Sequence, residues 1–178
     1  MIRLNIEEYA WNKHELQIKE THDFTYSSPK IKIVDNNDLR NQLEETLEKL
    51  PQKLLAKWAL RVAVAHLDHL DSHLVKDPRI ELGIETLEKR ITGDIRAFDL
   101  RKVGFIVNEL AKESTTEASK YAARSFAQAI ATGHMRGHAM VSSDYAVKLV
   151  NCISNNSSVA EAATKERERQ LRIVEELL

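Results

Sequence analysis

The sequence predicts an all-α fold: an antiparallel bundle of about six or seven helices, preceded by a less regular N-terminal arm. Three observations carry that expectation. Five glycines and three prolines in 178 residues are too few for a β-rich fold full of tight turns. From Asp35 onward, apolar residues recur in steps of three and four, the period of an amphipathic helix. Helix-starting and helix-stopping residues punctuate those periodic runs. The length suits one domain with its own core, without disulfide or metal support.

The expected division is an arm over 1–34 and a helical bundle over 35–178. In the arm, "SSPKIKIVDNN" holds Pro29, an Ile31–Ile33 alternation and a polar stop, which suggests a loop with a short extended piece. Tyr9 and Trp11 are the candidate anchors of this arm on the bundle. Leu39, Leu43, Leu47 and Leu50 then mark the first bundle helix, after cap-competent Asp35 and Asn37. Pro51 ends that run or opens the next helix, expected at about 52–75 with Leu55, Ala59 and Val62 on one stripe. Asp77-Pro78 supplies an N-cap and a first-turn proline, and Ile80, Ile84, Leu87 and Ile91 form a buried face until Gly93. Asp99 is expected to cap a helix that uses Leu100, Val103, Val107 and Leu110.

The longest helical segment spans about 117–153, with "SSD" at 142–144 as a new cap or a kink. Ser158 and Glu161 match a capping box for the last helix, whose charged centre "KERERQ" reads as a solvated face. Cys152 reads as a small core residue. Arg124 and Arg136 read as partners in surface ion pairs, and Glu44, Glu45 and Glu48 as a solvated acidic face.

Composition narrows the function classes. A formal net charge of −1 and a pI near 6.7 give no general field for nucleic acid or anionic lipid. One cysteine permits neither an intrachain disulfide nor a Cys-rich zinc module. "MIRLNIEEYAWNKHE" has charges where a signal peptide needs an apolar run, and no stretch is apolar enough to span a bilayer, so a cytoplasmic location is expected. No phosphate-cradling loop, nucleophile elbow or Ser-His-Asp spacing occurs, and neither a catalytic residue nor a cofactor is expected.

Histidines are the chemistry that remains. On one long helix, His134 and His138 would share a face with Ala123, Ala127, Ile130, Val141, Tyr145 and Leu149. Beside them Ser125, Ala129, Gly133 and Gly137 form a line of small residues. Glycine inside a helix costs roughly 1 kcal/mol relative to alanine, so close packing of a neighbouring helix on Gly133 and Gly137 is expected. His66, His69 and His73 would continue the stripe of the 52–75 helix. Five imidazoles on two helices could converge on zinc. "HMRGH" lacks the glutamate of a metalloprotease helix, however, and satisfied, half-buried imidazoles are the simpler expectation.

"KWALRVAVAHLDHL", "DPRIELGIETLEKRITGDI" and "AARSFAQAIATGHMRGHAMVSSDYAVKLV" together resemble the all-helical immunity proteins of bacterial polymorphic toxin systems. The resemblance covers about 55–178, and its matching positions are Trp58, Asp77, Pro78, Arg79, His134, His138, Tyr145 and Ala146. It implies a cytosolic inhibitor that binds a cognate protein toxin without catalytic turnover. The alternative from the residues alone is a histidine-rich metal-binding bundle, or a metal-dependent enzyme, using His66, His69, His73, His134 and His138. Neither nucleic acid nor membrane is an expected partner, and homo-oligomerisation stays open.

Overall fold

A computed structural model describes residues 4–178. Among them are nine α-helices and no strands. Two short helices belong to the N-terminal segment, α1 (Ile6–Tyr9) and α2 (Lys13–Thr21), capped by the side chains of Asn5 and Asn12. The sequence suggested no helix there, and the two asparagine caps are what make such short helices tenable. Residues 23–36 follow without regular structure. Seven helices then build the bundle: α3 (Asn37–Glu48), α4 (Gln52–Val64), α5 (Pro78–Ile91), α6 (Ala97–Glu113), α7 (Glu117–Ala131), α8 (His138–Ile153) and α9 (Val159–Leu177). No helix among the described residues is long and apolar enough to cross a membrane.

The helix starts follow local chemistry. Asn36 accepts from the Leu39 N–H at the start of α3, and Asp77 from the Arg79 N–H at the start of α5, ahead of first-turn Pro78. Gly93 ends α5 with a φ of 83°, the left-handed conformation that glycine adopts without penalty. Asp99 is not the cap of α6. It sits three residues in and accepts from the Arg96 N–H, so Arg96 holds the cap position. Ser158 precedes α9 but its hydroxyl bonds back to Asn155, while Glu161 pairs with Lys165, so no capping box forms.

Packing centres on α7 and α8, with α4 against both; α6 covers α7, and α9 lies against α8, α3 and α4. Ala122, Ala123, Ala127 and Ala129 keep α7 thin enough for several neighbours to reach it, and Trp58, Phe126, Leu43, Leu87, Leu100, Leu110, Ile130 and Leu149 fill the interior. Trp58 is fully buried, its indole N–H donating to the Gln170 carbonyl at 2.9 Å.

Two expected helices are shorter than their periodicity suggested. α4 stops at Val64, and residues 66–77 form turns around a single 3-10 turn at Leu67–His69. Leu67, Leu70 and Leu74 still reach the core. The reason lies outside this segment. The Asp71 carboxylate accepts from the Thr115 and Thr116 backbone and hydroxyl groups between α6 and α7, and its own N–H donates to Ser119. These bonds hold the chain out of helical geometry. The segment 117–153 likewise splits, α7 ending at Ala131 and α8 beginning at His138.

Candidate functional site

The turn between α7 and α8 contains both glycines and His134, and His138 opens α8, so the line of small residues does not run along one helix. Gly133 is packed tightly: a Cβ there would lie 2.5 Å from Leu100 Cδ1 and 2.9 Å from Leu87 Cδ1. Its carbonyl accepts from Arg90 Nε at 2.9 Å. Gly137 is not packed against a helix, since its nearest neighbour would be Glu15 Oε2 at 3.8 Å. Glu15 instead accepts from the Arg136 and Gly137 N–H groups at 2.9 and 3.1 Å, placing a carboxylate at the positive end of α8. Arg136, expected at the surface, is buried. Its guanidinium donates to the carbonyls of Leu47, Leu50 and Tyr9, satisfying the exposed end of α3 and pinning the N-terminal segment.

The turn presents His134 and His138 to a cavity of about 310 Å³ between α6 and α7. Arg101, Gly104 and Asn108 line it from α6, Arg124 from α7, and no lining residue is acidic. The two imidazole centroids lie 6.0 Å apart, and His138 Nδ1 is 2.7 Å from Gln128 Oε1. Burial pushes the His138 pKa down to about 4, helped by His134 and Lys30. Burial likewise lowers that of His134, helped by Arg101 and Arg90 against an opposing pull from Glu15. Both rings are therefore neutral at pH 7, and a His138 that donates from Nδ1 to the Gln128 carbonyl keeps Nε2 as an acceptor.

The other histidines are elsewhere. His66 is buried, with Nε2 3.2 Å from Glu166 Oε1 and 3.0 Å from Arg169 Nη2. Burial would raise the Glu166 pKa, but bonds from His66 and Arg169 outweigh it and hold the carboxyl down at about 2. His69 lies 4.0 Å from Asp68, and His73 is exposed. The proposed convergence of His66, His69, His73, His134 and His138 does not occur: no group of three metal-ligating side chains is assembled among the described residues. With α4 ending at Val64, the stripe that would have aligned the first three is gone.

The remaining motif positions do structural work. Asp77 accepts from the Arg79 Nε and Nη2, and Arg79 Nη1 reaches Glu113 at 3.0 Å, tying the start of α5 to the end of α6. Tyr145 stacks on Tyr121 with centroids 6.4 Å apart, and Ala146 is buried. Of the matching positions, the two histidines alone line this cavity.

Several charged stretches read as wet are dry. Glu166, Arg167 and Gln170 of "KERERQ" are buried, and Asp144 of "SSD" lies mid-helix and buried. Arg167 donates to Asp144 at 2.6 Å and to Asp35 at 2.7 Å, while Arg40 holds both Asp144 oxygens at 3.0 and 2.9 Å. The acidic stripe of α3 is also occupied: Glu44 accepts from the Ser27 N–H, Glu45 from Tyr26, and Glu48 from Tyr9 and Lys19. Arg124 meets Asn108 rather than an acid, and Cys152 is exposed.

The sequence reading missed Arg101, Phe98 and Phe105 of α6. Phe105, which lines the cavity, is 69% exposed, and Phe98, two turns earlier on the same helix, 56%. The signal was available: both fall off the Leu100, Val103, Val107 and Leu110 stripe.

No curated protein and no solved structure matches this chain. A family model does, over residues 45–177, from the last turn of α3 to the end of α9, so it takes in all the motif positions and both walls of the cavity. The chain belongs to the family described as "Imm-5 like putative immunity protein".

Proposed function

We propose that this protein acts in the cytoplasm by binding a cognate bacterial toxin and blocking it, with no catalytic turnover of its own. The observation that carries this reading is the family match over 45–177, which spans nearly the whole bundle. The geometry is in keeping with it. His66 and His138 are hydrogen-bonded in two separate places, and no group of three metal-ligating side chains is assembled among the described residues. A rigid helical scaffold offering a few exposed aromatic and cationic anchors is what a tight protein–protein inhibitor requires.

The test is co-expression with the toxin encoded beside it. Growth should be rescued, and the two purified proteins should migrate together on a sizing column. Cells that remain unprotected, with no complex formed, would refute the reading.

A further inference from the structure

Helix α6 carries a surface that the fold itself does not use. Phe98 and Phe105 stand two turns apart, and Ile106 beside them is 44% exposed. At 100° per residue, Arg101, Phe105, Phe98 and Lys102 fall within an arc of about 100°. Lys102 Nζ lies 4.5 Å over the Phe98 ring. On the same helix Arg96 pairs with Asp99 and Lys112 with Glu109, whereas Arg101 and Lys102 have no salt bridge among the described residues.

Arg101 also borders the cavity, opposite Arg124, which is held in place by donation from Nη1 to Asn108 Oδ1 at 2.7 Å. Between them the wall is Gly104, where an added Cβ would meet nothing within 4 Å. Glycine inside a helix is unfavourable, and here no neighbour of the fold presses on it. Glu15, the carboxylate whose charge reaches His134 at the edge of the cavity, is already engaged by the Arg136 and Gly137 N–H groups. Two guanidinium groups therefore face a recess that contains no acid.

We propose that the outer face of α6 and the adjoining α6–α7 cavity form a docking surface for a partner protein segment carrying a carboxylate flanked by apolar side chains. The carboxylate enters between Arg101 and Arg124, and the apolar flank packs on Phe98 and Phe105. This inference rests on the toxin-binding reading in taking that partner to be the toxin. Arginine and aromatic side chains are the usual anchors of such interfaces, and unpaired cations speed encounter with an acidic partner. A second copy of this chain fits less well, because a two-fold contact here would set Arg101 and Lys102 against their own copies. Nucleic acid fits less well too, because strong binding draws on many phosphate contacts and the chain carries a net charge of −1.

The experiment measures binding of the purified toxin at low and high salt to the wild type and three variants. Arg101→Glu and Phe105→Ala should each weaken binding at least tenfold, with the Arg101→Glu loss shrinking at high salt. Lys53→Glu, a charge reversal on the exposed side of α4, should bind like the wild type. Thermal midpoints of all variants should match the wild type, since each altered side chain is exposed; Lys102→Glu replaces any variant that fails to fold. A wild type that binds toxin while the α6 variants bind equally well overturns this surface and leaves toxin binding intact. A wild type that binds no toxin overturns both. So would a wild-type dimer dissociated by Phe105→Ala with toxin affinity unchanged overturn the surface, as would a single-stranded oligonucleotide bound in a manner lost with Arg101→Glu.

Discussion

The seam between α3, α8 and α9 and the cavity between α6 and α7 both gather arginines, and they treat them oppositely. In the seam, Arg40 and Arg167 are buried and share Asp144, with Asp35 completing the set. In the cavity, Arg101 and Arg124 have no acidic residue beside them among the described lining residues. Buried charge is tolerable only when paired and hydrogen-bonded, so the seam has no capacity left for a partner. Its arginines fix the arm and three helices in register. Of the cavity's arginines, Arg101 is exposed and Arg124 half-buried, which leaves them open to a ligand.

The sharpest way to break this contrast is Arg167→Met. Removing the guanidinium leaves the Asp35 carboxylate buried without a counter-charge and Asp144 with Arg40 alone, and denaturant melts should show a loss of about 3–5 kcal/mol. A variant as stable as the wild type would mean that water satisfies the seam. A smaller effect is expected at the turn beneath the cavity. Gly133→Ala drives a methyl group into Leu100 and Leu87, both fully buried, and should cost about 1–3 kcal/mol through overpacking. Gly137→Ala, with a helical φ of −56° and an ordinary contact to Glu15 Oε2 at 3.8 Å, should stay within about 0.5 kcal/mol of the wild type. Equal costs at the two glycines would remove the distinction between a packed wall and an open one.

The last expectation is a pH dependence. The His138 pKa falls from 6.5 unfolded to about 4 folded, so its contribution to stability is complete above pH 6.5 and is lost as pH drops toward 4. Glu166, depressed from 4.5 to about 2, loses its contribution in the separate window between pH 4.5 and 2. Stability measured against pH should therefore fall in two stages. His138→Gln should flatten the upper stage, whose slope is at most about 1.4 kcal/mol per pH unit, and leave the lower one. An unchanged upper slope would show that His138 protonates freely, as an open imidazole would.

These regions also differ in how much of them was legible in advance. Leu43 and Leu47 sit on a periodic stripe, Asp77-Pro78 opens a helix by backbone chemistry alone, and both behave in the fold as their local sequence suggests. "KERERQ" has the same kind of period, yet its reading as a wet face failed. Arg167 is dry because Asp35, 132 residues away, and Asp144 meet it. Arg40 and Asp144 are separated by 104 residues. The histidine stripe of 52–75 failed for a related reason: Asp71 prefers the α6–α7 turn to the helix, which periodicity cannot register. At the cavity, the histidines announced themselves through spacing and Phe105 by falling off the apolar stripe of its helix, whereas the placing of Arg101 opposite Arg124 became visible only once α7 was laid beside α6.

By itself the sequence determined the all-α class, most helix starts, the apolar stripes and the family, because caps, glycines, prolines and periodicity act over a few residues. Tertiary structure alone decided which charges are dry, where the two long periodic segments break, and that two arginines on different helices face one acid-free recess. Desolvation and pairing are properties of what lies opposite a side chain, and the chain's own order does not state what will lie there.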